Sequence, residues 1–513
     1  VFARTAERQG FVNTLAELFT EFKRYNISVE VLKSSYEKLN QDSLLREKIE
    51  EIGKIYEEFE NTISERYRDP DDDLTVASEK LAFTGIYDGA EIWIDGFAGF
   101  TPQEYKIIGR LLQKAKQVNI SLCTDCLADE ADYAVTDVFS PVKATYNKFL
   151  RIAKELDIDT EKPVALAEDP DDGLLPRYKM SAELAHLERN FYAYPYKIYK
   201  QKTHDISLFS SVNIFTEIEA AARNIVCLCR DRNMRYRDIA VVIRNLSEYE
   251  KLIEVIFTEY GIPYFIDRKI DIINHPVVRM ILSMLDIFTE NWSYESVFRY
   301  LKTGMTGIER SSIDKVENYV LACGIRGSKW TNGQDWNMSP NLVPDEKDNS
   351  IDDLKLSEIN KIRCEITLPL LEFRNKTKGR KKASEICGAL YDFLCSINVR
   401  ERIENMIEQF RQRGELNLAN EYSQVWNIVM EVFDQTVEVM GDEELTIEKF
   451  SQILKIGFSE YKIGLIPASL DQVLVGSVER SRSHEIKALY ILGANDGVFP
   501  SSAFEEGILS DAD

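Results

Sequence analysis

The spacing of apolar residues predicts that the amino-terminal part of the chain is helical. Apolar side chains recur every three or four residues across Phe11–Phe22 and again across Leu45–Phe59, and this period places them on one face of a helix. The Pro- and Asp-rich stretch Tyr67–Asp73 ends the second helix, since both residue types favour turns. We therefore expect an all-helical region over residues 1–90.

Short apolar strands appear after residue 90. Glu91–Asp95 predicts a strand that ends in an aspartate, Gln103–Lys114 predicts a helix, and Val118–Cys123 predicts a second strand. Strand, helix and strand in close succession form a βαβ unit, which implies a parallel sheet. Residues 125–205 are irregular and partly acidic, as expected of an excursion over the surface.

A second α/β stretch begins near Ile206 and is itself interrupted by helices. Its predicted elements are helices over Glu217–Arg230 and Tyr249–Tyr260 and strands over Ile239–Ile243, Gly261–Ile266, Val473–Gly476 and Ala488–Gly493. Between residues 290 and 465 the apolar period is helical almost throughout. The chain therefore predicts an α/β fold with large all-α insertions.

Size and composition favour several buried cores and a protein without membrane spans. The chain has 513 residues, 44% of them hydrophobic, which suits about three or four domains. No stretch approaches the ~18 uncharged apolar residues that cross a bilayer. The opening residues lack a signal-peptide core, and we expect both ends to lie inside a longer protein.

The charge and the cysteines limit the chemistry that the chain supports. A net charge of −23 argues against a sequence-independent DNA-binding surface, so any nucleic-acid contact needs a local basic groove or a basic partner. Only Cys123 and Cys126 have metal-like spacing, and no second pair accompanies them, so no metal site is predicted. Scattered cysteines of this kind suit a reduced, cytoplasmic protein.

The strand Ile92–Asp95 and the residue after it predict a degenerate nucleotide site. An apolar strand that ends in Asp delivers a carboxylate to the edge of a parallel sheet, where it holds Mg²⁺, as in a Walker B motif. Hydrolysis also needs a second carboxylate that orients the attacking water. UvrD-type helicases carry Glu directly after the Asp, whereas Gly96 stands there in this chain. We therefore expect no rapid hydrolysis of ATP.

Two later segments resemble helicase motifs. Ile239–Asn245 is similar to helicase motif IV, in which a strand presents an arginine, here Arg244, to the γ-phosphate. Gly476–Glu485 and the strand after it are similar to motif V of UvrD/RecB helicases. Gly493–Pro500, which reads Gly-Ala-Asn-Asp-Gly-Val-Phe-Pro, closes that motif well.

The residues of this chain match motif V only in part. Ser481 and Glu485 agree with the motif, and Arg482 stands where Lys is usual. Glu479, Ser483 and His484 replace its His, Gly and Leu. The pattern indicates a helicase scaffold whose catalytic residues have changed.

Together these segments identify the chain, from about Phe11 to Leu509, as a member of the AddB/RexB family. The resemblance implies two RecA-like parallel-sheet domains, each interrupted by a helical subdomain, as in UvrD, RecB and RecC. On this basis the first RecA-like domain comprises residues 91–205 with a helical insertion over 1–90, and the second comprises 206–289 and 466–513 with an insertion over 290–465.

The resemblance also implies a function. It suggests a non-motor subunit of an AddAB-type ATP-dependent helicase and exodeoxyribonuclease, which processes double-strand breaks for recombinational repair. The subunit would guide single-stranded DNA and contribute to recognition of the Chi sequence. The implied partners are an AddA-type subunit and single- and double-stranded DNA. Mg²⁺ and ATP are candidate ligands, and an iron–sulfur cluster is expected in the full-length protein, while this stretch alone is expected to hold no cofactor and to be inactive.

The resemblance nominates two sets of site residues. The degenerate nucleotide-binding set is Asp95, Gly96, Arg244 and Glu485. The DNA-binding set is Arg480, Ser481, Arg482 and Ser483, an Arg-Ser-Arg-Ser run suited to phosphate contacts. Two alternatives stay open. The chain could be an interaction scaffold for the AddA motor without DNA contact, which its negative charge favours, or a weakly active ATP-dependent helicase.

Overall fold

The structure is a computed structural model in which the chain forms two compact units. It describes residues 2, 9–39, 43–64, 67, 69–127, 137–166, 176–178, 180–338, 349–464, 470–478, 485–500 and 508–509. Unit 1 comprises residues 1–209 and 502–513, and unit 2 comprises residues 210–501. Within the described ranges, no helix combines the length and the apolar character that crossing a membrane requires.

Unit 1 is mostly helical with one pair of parallel strands. Its helices are α1 (Gln9–Arg24), α2 (Val29–Tyr36), α3 (Leu44–Ser64), α4 (Asp73–Leu81), α5 (Pro102–Lys114), α6 (Ser140–Glu155) and α7 (Ala182–Asn190). Its strands β1 (Glu91–Ile94) and β2 (Gln117–Ile120) pair in parallel, with Ile92 opposite Val118. This arrangement agrees with the predicted strand–helix–strand succession. The prediction that residues 125–205 are irregular is wrong where α6 and α7 form.

A small apolar cluster and a buried cation hold the first helices of unit 1 together. The buried members of the cluster are Leu15, Leu18, Phe19, Phe22, Leu32, Ile52 and Tyr56. Next to it, the buried ammonium of Lys23 lies 2.7 Å from Asp69, 2.8 Å from Asp72 and 2.9 Å from Glu60. Burial alone lowers the pKa of Lys23, but these hydrogen bonds outweigh it and raise the pKa above its ordinary value.

Unit 2 combines a parallel sheet with a block of helices. Its helices are α8 (Ile214–Asp231), α9 (Leu246–Glu259), α10 (Pro276–Thr289), α11 (Tyr294–Leu301), α12 (Arg310–Cys323), α13 (Asn349–Lys376), α14 (Ala383–Ser396), α15 (Val399–Gln412), α16 (Leu416–Met440) and α17 (Ile447–Glu460). Its strands are β3 (Ile239–Ile243), β4 (Tyr264–Ile266), β5 (Lys269–Asp271), β6 (Lys381–Lys382), β7 (Glu444–Leu445), β8 (Lys462–Gly464), β9 (Val473–Ser477) and β10 (Ala488–Leu492).

The main sheet of unit 2 has four parallel strands in the order β10–β3–β9–β4. Every residue of β3 is buried, as expected of an inner strand of a parallel sheet, and this is why Ile239–Ile243 contains only apolar residues. Residues of α8 and α9, including Ile225, Ile253 and Phe257, pack with the sheet in one apolar cluster. The short pairs β5–β8 and β6–β7 are antiparallel.

The helical block of unit 2 has its own, larger core. Leu285, Trp330, Phe373, Leu390 and Phe450 are among its buried members. The predicted mixed α/β fold with parallel strands and long helical stretches is therefore confirmed. The assignment of the sheets to RecA-like domains and the domain boundaries given above stay predictions.

Candidate functional site

Asp95 lies at the carboxyl end of a parallel strand pair, where the sequence predicts a nucleotide-contacting carboxylate. It directly follows β1 and is exposed. Its carboxylate accepts a hydrogen bond from the hydroxyl of Ser121, which follows β2. The backbone N–H of Ser121 donates to the carbonyl of Ile94 over 3.0 Å. The carboxylate is thus oriented at the edge of the strand pair.

Gly96 has a left-handed backbone conformation, with φ of +84°. Residues with a Cβ rarely adopt this conformation, because the Cβ approaches the carbonyl oxygen. A Cβ at Gly96 would meet no atom within 4 Å, so the constraint comes from the backbone and not from crowding. The position after Asp95 therefore lacks a carboxylate and also has a backbone that disfavours one.

The aromatic residues after Gly96 pack on one another. The rings of Phe97 and Phe100 lie 5.0 Å apart, and Phe100 contacts Tyr105 and Phe149. Tyr105 is buried, and the ammonium of Lys148 lies 3.9 Å from its ring centroid. These contacts pack the loop after β1 against α5 and α6.

The loop after β2 is tied to α6 through a second buried cation. Lys143 of α6 is buried and lies 2.9 Å from Asp125 and 2.6 Å from Asp137. Hydrogen bonds to Asp137 and Asp125 raise the pKa of Lys143 above its ordinary value. Cys123 and Cys126, on either side of Asp125, are free and exposed.

In unit 2, Arg244 follows the central strand of the main sheet. It is exposed and directly succeeds the last residue of β3. Parallel strands on both sides of β3 bring the carboxyl ends of β9 and β10 next to this position, since Ile243 pairs with Ser477 and with Leu492. The carboxyl edge of a parallel sheet is where ligands usually bind in α/β folds.

The same edge carries a polar cluster that the sequence pattern does not predict. Glu217, in the first turn of α8, accepts a hydrogen bond from the backbone N–H of Gly493 and another from the hydroxyl of Tyr249, both over 2.9 Å. Burial and the hydrogen bond to Glu217 raise the pKa of Tyr249. Glu217 thereby joins α8, α9 and the loop after β10.

These contacts explain why the motif Gly493–Pro500 opens with glycine. Gly493 has φ of +71°, and a Cβ there would lie 3.0 Å from the hydroxyl oxygen of Tyr249. The loop then turns through hydrogen bonds from Val498 and Phe499 to the carbonyl of Asn495, each 3.0 Å long. The closing segment of motif V is therefore a compact turn packed on α9.

Glu485 stands at the other end of the sheet from Arg244. It is exposed and precedes β10 by three residues. The next residue but one, Lys487, donates through its backbone to the carbonyl of Asp238, just before β3, over 2.8 Å. Glu485 precedes β10 and Arg244 follows its neighbour β3, so the length of these five-residue strands separates the two backbone positions. Arg480, Ser481, Arg482 and Ser483 lie outside the described residues.

Comparisons with known proteins relate the two parts of the chain to helicase subunits. Residues 1–188 match the family described as "ADDB, N-terminal". Residues 184–511 match the family described as "UvrD-like helicase C-terminal domain". The second match covers more than half of the chain and includes all four strands of the main sheet of unit 2.

Curated relatives match over the whole chain, and each is named as the B subunit of an ATP-dependent helicase/deoxyribonuclease. The relative from Acetivibrio thermocellus is 65% identical over 515 residues, that from Ruminiclostridium cellulolyticum 56% over 513, and that from Clostridium botulinum (strain Loch Maree) 48% over 513. Each alignment covers 100% of this chain and 44% of the relative. The chain therefore spans less than half the length of the curated relatives that it matches.

Proposed function

The chain belongs to the AddB family of UvrD-like helicase subunits, and we propose that it is the helicase-like, non-motor body of a DNA-end-processing helicase/deoxyribonuclease. In this role it guides single-stranded DNA delivered by a partner motor subunit of the AddA type. A contribution to recognition of the Chi sequence in double-strand-break repair is part of the same proposal.

The observation that carries the proposal is the pairing of Asp95 with Gly96. Asp95 stands at the end of a parallel strand, where a Walker B carboxylate would be. Gly96 follows it with φ of +84°. A general base or water-orienting carboxylate is worth a factor of about 10²–10⁴ in rate, and this position supplies none. A subunit of this kind holds and directs DNA without driving its movement.

The resemblance to helicases gives each predicted nucleotide-contacting residue a role of its own. Asp95 would approach Mg²⁺, and Arg244 would approach a γ-phosphate. Glu485, which lies near the amino ends of β3 and β10, would act away from that phosphate. Among the residues that the structure describes, no three His, Cys, Asp or Glu side chains group as metal ligands.

The proposal is tested by DNA binding and ATP turnover of the whole protein, alone and with its motor partner. Fluorescence anisotropy with a short single-stranded oligonucleotide is measured at low and moderate salt, with and without ATP and Mg²⁺. We expect binding that weakens with salt and does not depend on ATP. Arg480→Ala/Arg482→Ala should weaken it, whereas the control Arg310→Ala/Arg400→Ala, on exposed helix positions of unit 2, should not.

A variant that reintroduces a carboxylate at position 96 tests the non-motor part of the proposal. Gly96→Glu restores the missing carboxylate but forces a side chain into a left-handed backbone, at a cost of about 1–3 kcal/mol. We expect no rise in the ATPase activity of the protein. Rapid ATP turnover by the wild-type protein, with the nucleotide site of its motor partner inactivated, would contradict a non-motor role. Absence of DNA binding at low salt would favour the scaffold alternative.

A further inference from the structure

Residues 189–204 form a basic and aromatic strip in an acidic chain. The strip contains Arg189, Lys197, Lys200 and Lys202 and no Asp or Glu, although the chain as a whole carries a net charge of −23. Over the same stretch it has five aromatic residues, namely Phe191, Tyr192, Tyr194, Tyr196 and Tyr199. Interleaved basic and aromatic side chains are the composition of surfaces that bind single-stranded nucleic acid.

The strip presents its side chains to solvent. Tyr194 is 96% exposed and Tyr196 is 77% exposed. Neither ring contacts another aromatic ring among the described residues. The ammonium groups of Lys197, Lys200 and Lys202 are exposed, and within the described parts of the chain no carboxylate lies within salt-bridge distance of them. Exposed aromatic clusters of this kind indicate a binding surface, since they add nothing to a core.

The strip is also held in place by α7, which contacts its middle and its carboxyl end. The carboxylate of Glu183 is buried and accepts backbone N–H donors from His204, Asp205 and Ile206, the last two over 3.1 Å. His186 lies 3.0 Å from the carbonyl oxygen of Lys197 through its Nε2 atom and packs on the ring of Tyr199. An exposed segment whose backbone is already fixed loses little conformational entropy when a ligand binds.

We propose that residues 189–204 are a further binding site for single-stranded nucleic acid, in addition to the predicted set Arg480–Ser483. Tyr194 and Tyr196 would stack on bases, and Lys197, Lys200 and Lys202 would neutralise phosphates. The choice of DNA as the ligand rests on the proposed function. The charge of the strip, positive within an acidic chain, is complementary to a phosphate backbone, and stacking on tyrosine is tolerant of sequence because every base has a π-face.

The first test changes the rings in the whole protein in complex with its motor partner. Anisotropy of a labelled oligothymidylate should show binding at least about tenfold weaker for Tyr194→Ala/Tyr196→Ala, since stacking on each base contributes about fivefold or more and the two contributions multiply. Tyr194→Phe/Tyr196→Phe keeps both rings and should bind within about twofold of the wild type. The control Tyr25→Ala removes another exposed tyrosine of unit 1 and should bind unchanged.

The second test changes the charges. Lys197→Gln/Lys200→Gln/Lys202→Gln should lower the slope of log Kd against log salt by about 2, because each phosphate contact on a single strand contributes about 0.7. The control Lys38→Gln/Lys80→Gln/Lys162→Gln removes three exposed lysines elsewhere in unit 1 and should leave the slope as it is.

Three outcomes separate this site from the proposed function. Weaker oligonucleotide binding with unchanged association of the motor partner, measured by sedimentation, supports the strip as a DNA site. If the tyrosine variant binds the oligonucleotide as the wild type does while Arg480→Ala/Arg482→Ala loses affinity, the proposed site at the strip is wrong and the proposed function stands. Loss of the motor partner in the tyrosine variant overturns the site as well, because the strip would then be a protein interface. Failure of the proposed function is instead read from the wild type, as absent binding at low salt.

Discussion

Unit 1 and unit 2 differ in the ion clusters that they bury. Unit 2 contains two apolar clusters, one around its four-stranded sheet and a larger one among its helices. Unit 1 has a smaller apolar cluster and in addition buries Lys23 and Lys143, each bound by carboxylates. Their sheets differ in the same way, since all of β3 is buried whereas Trp93 of β1 is 76% exposed.

The difference predicts which kind of substitution destabilises each unit most. Apolar burial is non-directional and roughly proportional to area, so a core of this type fails chiefly when a charge enters it. A buried ion cluster depends on each of its members, and removal of one partner leaves the others uncompensated. Unit 2 should therefore be sensitive to added polarity, and unit 1 to the loss of single charges.

The largest expected effect is a charge placed in β3. Val241→Asp puts a carboxylate at a fully buried position of the central strand and should destabilise unit 2 by about 4 kcal/mol or more. Urea unfolding followed by tryptophan fluorescence measures this, since Trp292, Trp330 and Trp336 are buried in unit 2. The control Val255→Asp, at an exposed position of α9, should change stability by less than about 0.5 kcal/mol. Equal effects of the two variants would contradict the described sheet.

Removal of the Lys23 ammonium should have the next largest effect. Lys23→Met leaves Glu60, Asp69 and Asp72 without their shared cation and should cost about 3 kcal/mol. Hydrogen exchange of the α1 amides reports the loss in unit 1. Lys33→Met is the matched control, because Lys33 forms a half-exposed pair with Glu57 and should cost less than about 1 kcal/mol. If the α1 amides exchanged at the same rate in both variants, the stability of unit 1 would not depend on its buried cation.

Acid should weaken unit 2 through one buried histidine. His275 caps α10 by accepting from the N–H of Val277 through Nδ1, and burial lowers its pKa to about 4 from 6.5. The unfolded chain therefore binds this proton first, and stability is lost as the pH falls from about 6.5 to 4, by at most about 3 kcal/mol. Burial raises the pKa of Glu421, whose carboxylate lies 3.9 Å from Nε2, which offsets part of the loss.

A substitution isolates the contribution of that ring. His275→Asn keeps an acceptor at the cap and should flatten the dependence of unfolding free energy on pH between about 6.5 and 4. Urea midpoints measured at several pH values give the slope. An unchanged slope in the variant would assign the acid sensitivity to other groups.

The smallest expected effect is at the exposed strand pair of unit 1. Trp93→Ser removes the largest side chain of β1 and should change stability by less than about 0.5 kcal/mol. Trp330→Ser, at a position with 1% exposure, should cost about 3 kcal/mol or more. Thermal unfolding of both variants compares them directly. A loss above about 1 kcal/mol for Trp93→Ser would show that β1 is covered in solution.

Local pattern was enough to predict most of the elements that carry the candidate site. The predicted strand Ile239–Ile243 has the same bounds in the structure, because a fully buried strand is a continuous apolar run. The strand before Asp95 was predicted to within one residue. The stretch Tyr67–Asp73 was predicted only as a turn that ends a helix, whereas its Asp69 and Asp72 bind the buried Lys23.

Contacts between distant residues could not be predicted in this way. Glu217 and Gly493 are 276 residues apart, and nothing in the period of either segment pairs them. The strip at residues 189–204 has no helical or strand period, so its region was predicted only as a surface excursion. Its support comes from Glu183, whose three backbone donors follow it by more than twenty residues.

The backbone at Gly96 has an evolutionary consequence. A lost catalytic side chain is ordinarily recovered by one mutation, because the scaffold around it still accepts the original residue. Here the φ of +84° means that the loop must change its conformation before a glutamate fits without strain. A single substitution therefore does not supply the carboxylate at this position without strain. Under the proposed function, a lineage with this loop depends on the motor of a partner subunit.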